Sequence, residues 1–178
     1  MNKNNKIEDS LNKIFSASGY KMVDVSSKET THRKALAVGE IILSSKVIQM
    51  IENKKMPKGD PLVIAEVSGI NGVKKTSELI PLCHPLSLDH ISLHTEIDKK
   101  KHSIIVYCLV SANSKTGVEM EALSGVNSAL LAIYDLSKIV EPNLKITNTR
   151  LLIKSGGKKG LWINPDGVPS KIKKALNH

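Results

Sequence analysis

The sequence predicts an α+β fold, with helices packed on one face of a mainly antiparallel sheet. Three observations carry this. ISLHTEI (91–97) alternates strictly and SIIVYCLVSA (103–112) is apolar at most positions, with only the charged turn Asp98 to His102 between them. The two therefore form a hairpin whose second strand lies inside the sheet. A long apolar-striped helix over about 117–140 follows, and LKITNTRLLIK (144–154) reads as a returning strand.

The other elements follow from local chemistry. Residues 1–18 read as a polar, frayed N-terminal extension. YKMVDVS (20–26) has the composition of a short strand. Thr30 or Thr31 caps a helix running to about Lys55, with Ala35, Val38, Ile42, Ile48 and Ile51 on its buried face. MPKGDP (56–61) is a turn, and Asp60 before Pro61 supplies the cap and first position of a helix over about 61–78, interrupted in composition by Gly69 and Gly72. Residues 161–178 are a polar tail with Trp162 as the anchor. This leaves one domain, 19–160.

LIPLCHPL (79–86) sets Cys83 and His84 between Pro81 and Pro85. Proline fixes φ, removes a donor and steers the preceding residue away from helix, so this is a stiff, largely buried connection. A leucine would pack as well as a histidine without a polar group to satisfy. A core turn with a satisfied imidazole and an imidazole aimed for function both remain open on this run.

The net charge of +9 over 178 residues points to anionic partners. Aromatic residues are 3% of the chain, which leaves little surface for stacking bases, and of 26 basic residues only Arg33 and Arg150 are arginines, the residue favoured for guanine edges and bidentate phosphate contacts. A small polyphosphate explains the charge as well as nucleic acid does. No apolar stretch is long enough to span a membrane. Two cysteines and no secretory leader pattern predict a reducing, cytoplasmic setting.

The long helix orders several candidates. Thr116-Gly117-Val118-Glu119 matches a capping box. Val118, Ala122, Val126, Ala129, Ile133 and Leu136 form its apolar stripe, while Glu121, Ser124, Ser128, Asp135 and Lys138 fall on another sector. Asp135 and Lys138, three apart, are surface neighbours. They are either a solvated ion pair or an acid–base couple whose burial is favoured by Leu131, Ile139 and Val140. Glu121 and Asp135 are fourteen residues apart, about 21 Å along one helix, so a small ligand touching both requires a site shared between subunits. SGGKKG (155–160) offers glycine N–H groups and lysines to an anion, or is merely a flexible strand exit. Metal-ligand spacing is absent, and Cys83 lacks a nucleophile motif.

MVDVSSKETTHRKALAVGEIILS (22–44), KGD (58–60), KKTSELIPLCHPL (74–86), KTGVEMEALSGVNSALLAIYDLSK (115–138) and RLLIKSGGKKG (150–160) together resemble the cyclic pyranopterin monophosphate synthases of molybdenum-cofactor biosynthesis, the MoaC family. The resemblance implies a ferredoxin-like sandwich assembled as a homohexamer, a trimer of dimers, with sites between subunits. It implies a lyase that converts a 3′,8-cyclised dihydro-GTP to the cyclic monophosphate with release of diphosphate. Asp135 and Lys138 match the acid–base pair. Leu82, Cys83 and His84 match a substrate wall, with His84 near phosphate or a moving proton. Met120 and Glu121, joined by Glu119 unless it only caps, match the purine pocket. Lys58, Arg33, Lys74, Lys154 and Lys158 match phosphate contacts. No cofactor is required, and Mg²⁺ arriving with the triphosphate is compatible. A non-enzymatic nucleotide- or RNA-binding module, supported by charge alone, is the alternative; an inactive scaffold is disfavoured by intact Asp135, Lys138 and His84.

Overall fold

The central strand of the molecule lies where the sequence reads as a helix. The computed structural model describes residues 3–16 and 19–176. Strand β1 runs Thr31–Ile42 and is followed by helix α2, Ser45–Glu52, so the predicted helix over 30–55 is two elements. Ala35, Val38 and Ile42 do recur at helical intervals, but Ala35, Ala37, Gly39 and Ile41 recur at two. That second set is the buried one, with Ala35, Ala37 and Ile41 at 1% exposure or less. The small residues are there because a helix crosses closely: a Cβ on Gly39 would come within 2.6 Å of Val126 and 2.7 Å of Leu130.

The N-terminal segment is also more ordered than predicted. Helix α1 spans Lys3–Ser16, with Ile7, Leu11 and Ile14 at one-face spacing. The remaining positions of the predicted extension (1, 2, 17 and 18) and the last two of the tail (177 and 178) lie outside the described residues. Residues 20–26 are irregular rather than a strand; their backbone takes no place in the sheet ladders.

Helix α3, Pro61–Lys74, starts as its composition predicts: the Asp60 carboxylate accepts from the N–H of Leu62 at 2.9 Å and of Val63 at 3.5 Å, with Pro61 in the first turn. It breaks at Lys75, and a short α4, Thr76–Leu79, continues the path. Gly69 and Gly72 do not weaken α3 so much as admit its neighbour. Helix α5, Glu119–Ser137, runs so close that a Cβ on Gly72 would sit 2.1 Å from Ser128 Oγ.

Strands β2 (His90–Asp98) and β3 (Ser103–Ser114) form the expected hairpin, and β4 (Lys145–Ser155) returns antiparallel to β1. The sheet order is β2-β3-β1-β4-β5, with β5 being Trp162–Ile163 and every pairing antiparallel. Without β5, this order and the interleaved helices make a ferredoxin-like sandwich. Helices α2, α3 and α5 cover one face, and Val118, Ala122, Val126, Ala129 and Ile133 of the predicted stripe are buried there at 1% or less. The tail is not merely polar: beyond β5 it forms α6, Ser170–Leu176. Among the described residues no helix is long and apolar enough to cross a membrane.

Candidate functional site

Helix α5 carries candidate site residues at both ends. Near its C-terminus, Asp135 accepts from two lysines: Oδ1 lies 2.8 Å from Lys138 Nζ and Oδ2 lies 3.0 Å from Lys58 Nζ. The first contact is the predicted neighbour pair one turn apart. The second comes from the 56–60 turn, where Gly59 takes a φ of +96° that lets the chain reverse ahead of α3. Lys58, expected among the phosphate contacts, thus also lies against the Asp135–Lys138 pair. Lys138 and then Lys58 hold the Asp135 carboxyl below the usual carboxylate range, and Asp135 in turn raises Lys138. The cluster is not buried as the neighbouring Leu131 and Ile139 suggested. Both of those side chains are 60% exposed in the single chain, and Asp135 itself is half exposed.

Near the N-terminus of α5 the excess of positive charge is larger. A cleft of about 690 Å³ is lined by Arg33 and Lys34 of β1, Lys115 and Glu119 before and at the start of α5, and Lys154 and Lys158 around the glycine loop. Glu119 does not close a capping box. The N-cap residue is Val118, without a side-chain bond, and Glu119 Oε1 instead takes Lys154 Nζ at 2.8 Å. Arg33 is turned to protein carbonyls, donating from Nε to Ser114 O at 3.5 Å and from Nη2 to Lys115 O at 3.4 Å. Gly156 and Gly157, at φ of +99° and +69°, lie against it; a Cβ on Gly157 would come within 1.9 Å of its Nη1. The loop therefore wraps the guanidinium, which a bulkier residue would displace.

Between these ends, Glu121 is 5% exposed and lines a smaller cavity with Lys74, Thr76 and Leu86. Burial holds its carboxyl above the ordinary range, and the Glu119 charge adds to the rise. Beyond Leu79, which ends α4, the run is irregular as expected, but it is not largely buried in this chain: Leu79 is 65% and Leu82 48% exposed, with Cys83 and His84 half-buried. Burial and the nearby Glu121 raise the Cys83 thiol, which disfavours a thiolate there. Met120 is 40% exposed on the same end of α5.

Sequence reasoning did not single out Lys34, Lys115 or Asp24. Lys115 Nζ donates to Ser26 O at 2.7 Å, tying the irregular 19–30 segment to the cleft, and Asp24 lies within the electrostatic reach of both Lys115 and His84. The lysines were hidden by the general lysine excess. Asp24 sits inside MVDVS, read as strand.

Fourteen residues of continuous helix separate Glu121 from Asp135, so the two groups of candidate residues lie about 21 Å apart along it. The MoaC family model matches residues 22–157. A Chloroflexus aggregans protein named cyclic pyranopterin monophosphate synthase is 42% identical over 154 residues, 86% of this chain and 93% of its own. Proteins of the same name from Heliobacterium modesticaldum (40% over 158 residues, 89% of this chain and 99% of that one) and Trichlorobacter lovleyi (46% over 141 residues, 79% and 88%) agree. With three-quarters of its length inside the family's match, the chain belongs to the MoaC family.

Proposed function

We propose that the chain is a cyclic pyranopterin monophosphate synthase. It converts (8S)-3′,8-cyclo-7,8-dihydroguanosine 5′-triphosphate to cyclic pyranopterin monophosphate and diphosphate in molybdenum-cofactor biosynthesis. The observation that carries this reading is the pairing of one proton-transfer cluster, Lys58–Asp135–Lys138, with a separate cationic cleft of a size suited to a triphosphate. Opening the guanine five-membered ring and building the pyran ring are proton transfers without redox. An ionised Asp135 accepts a proton and the Lys138 ammonium donates one. Lys58, held on the same carboxylate, orients it and is free to turn to an incoming anion.

The cleft neutralises the triphosphate and the departing diphosphate through Lys154, Lys158 and Arg33, with Lys74 beside the smaller cavity. Glu121 and Glu119 accept from guanidine-like N–H groups of the purine or pterin, against Met120. Leu82, Cys83 and His84 wall the substrate, with His84 as the proton shuttle.

One substrate cannot bridge both ends of α5 within a chain, so each complete site takes its acid–base cluster from one subunit and its anion cleft from another. The exposed apolar side chains Val63 and Val67 of α3 and Leu131 of α5 offer the surface for that assembly. A homohexamer built as a trimer of dimers, working in the cytoplasm on a small molecule rather than on nucleic acid, completes the reading; Mg²⁺ carried by the triphosphate is compatible with it. The decisive experiment incubates the protein with the cyclised triphosphate and measures diphosphate and the cyclic phosphate together. Formation of both supports the assignment, and diphosphate release without the pyranopterin overturns it.

A further inference from the structure

The tail beyond the family match is attached to the site at one end and to the far edge of the sheet at the other. Lys154 is the last cation of β4 before the glycine loop, and the loop is closed by β5: Ile153 pairs with Ile163 and Lys154 with Trp162. The loop carrying Lys158 is therefore a hairpin loop, with Gly160 N–H donating to Gly157 O at 3.1 Å. Immediately after it, Asn164 fastens the chain twice, its N–H donating to Leu152 O and its Nδ2 to Leu151 O, each at 2.8 Å. Leu152 is fully buried although it is not part of the helix-side core.

The chain then leaves the β4 edge and crosses the sheet face opposite the helices. Val168, Pro169 and Ile172 are half-buried along this path. Lys171 Nζ reaches Glu96 Oε1 on β2, the opposite edge strand. Glu96 belongs to that open face, since Ile91, Leu93 and Ile97 of the same strand pack on the helix-side core. His94 of β2 shares the same oxygen through Nε2 at 3.0 Å, and Tyr107 of β3 lies within electrostatic reach of Glu96 and Lys171 and, further along the sheet, of Glu40 of β1 and Arg150 of β4.

We infer that residues 161–176 are a strap that positions Lys154 and the 155–160 loop for polyphosphate, with Asn164 as its near fastening and the Glu96–Lys171 pair as its far anchor. The inference rests on the anion cleft proposed above. A glycine-rich loop free at one end loses conformational entropy on closing around an anion, whereas a loop already closed as a hairpin has lost it on folding. Trp162, Asn164 and Lys171 are thus positioning residues that touch no substrate.

The test uses full-length protein and inorganic tripolyphosphate as probe, so it does not depend on the pterin chemistry. Calorimetry should show affinity falling about threefold in Lys171→Glu and in Glu96→Lys, the range of a single exposed ion pair turned repulsive. The double swap Glu96→Lys/Lys171→Glu should restore it. Asn164→Leu should weaken binding by up to about tenfold, equivalent to losing a well-made hydrogen bond. Amide exchange across 153–163 should quicken in each weakened variant and slow again in the double swap. With the cyclised triphosphate, KM should rise in the single variants while kcat holds. Unchanged tripolyphosphate affinity in all of them, or single-variant losses that the double swap fails to repair, overturns the strap. A wild-type protein that binds no tripolyphosphate overturns the cleft assignment and the strap's role with it, while leaving the lyase chemistry at Asp135 to its own assay.

Discussion

Asp135 and Glu121 are carboxylates on one helix in opposite electrical settings. Asp135 is half exposed, carries a lysine on each oxygen and is held low; Glu121 is nearly sealed and is held high by burial, with Glu119 adding to it. Two carboxyls pushed apart in this way can do different work at one pH, one as an ionised proton acceptor and the other as a group that exchanges its proton as the ligand arrives. Asp135 owes its setting first to Lys138 one turn on and then to Lys58 of the 56–60 turn, whereas Glu121 owes its own to α3 and the 86–91 segment packed beside it.

The contrast breaks hardest at Asp135. Asp135→Asn keeps the shape but loses the acceptor and the charge that gathers Lys58 and Lys138. Turnover should fall about a hundred- to ten-thousandfold, the range for loss of a general base. Steady-state kinetics alongside circular dichroism and gel filtration check this; near-normal product formation would remove Asp135 from the mechanism.

If the two ends of α5 serve different sites, defects at opposite ends should complement. Asp135→Asn and Glu121→Ala proteins, each inactive, are mixed under conditions that let subunits exchange. In a random mixture one site in about four draws both halves from unmutated positions, so activity should return toward about a quarter of wild type. No recovery, with mixed oligomers proven by mass spectrometry, would place the site within one chain.

How far the two ends were legible in the sequence differs for a physical reason. The Asp135–Lys138 pair and the buried stripe from Val118 to Leu136 follow from helical spacing, which is local. So do the Asp60 cap and the β2–β3 hairpin. Glu119 was legible as a cap or as a member of the purine pocket, but not as the partner of Lys154, which is 35 residues away on β4. The contact of Lys58 with Asp135 was not legible, because nothing near Lys58 in sequence reveals a carboxylate 77 residues on. The same limit explains β1: its small residues answer to α5, and Ala and Gly side by side fit a helix until that contact is known. The proline run read as buried because its side chains are apolar, yet a single chain leaves Leu79 and Leu82 exposed.

The cleft end should give a smaller, salt-sensitive effect. Lys154→Ala removes a cation from the cleft and frees Glu119, which then repels the phosphates it had shared a lysine with. KM for the triphosphate substrate should rise about tenfold, the scale of one charge-assisted contact, while kcat changes little. Raising ionic strength should weaken the wild type more than the variant, because the variant has one screened contact fewer. A fall in kcat with KM unchanged would move Lys154 from binding to chemistry.

The smallest effect separates the cost of Glu121 from its use. A buried carboxyl whose folded pKa lies above its unfolded one binds protons more tightly when folded. Its contribution is fully present below the ordinary glutamate range and is lost as pH rises through the raised folded value. Above the ordinary glutamate range the folded protein therefore carries a carboxyl whose ionisation the site disfavours. Glu121→Gln keeps the size and the acceptor oxygen and removes that charge, so thermal unfolding should shift upward at neutral pH. The gain should shrink as pH falls toward the range where the native carboxyl is itself protonated. Asp135→Asn should do the reverse in sign, since a depressed carboxyl stabilises above its unfolded pKa and that contribution is lost in acid. Activity of Glu121→Gln should nevertheless fall, as expected where a site holds a group the fold would rather not ionise. Unfolding curves for the two variants across pH 3 to 8 decide it. If Glu121→Gln is no more stable than wild type at neutral pH, the carboxyl is satisfied in the assembled protein, and a partner absent from the single chain must be pairing with it.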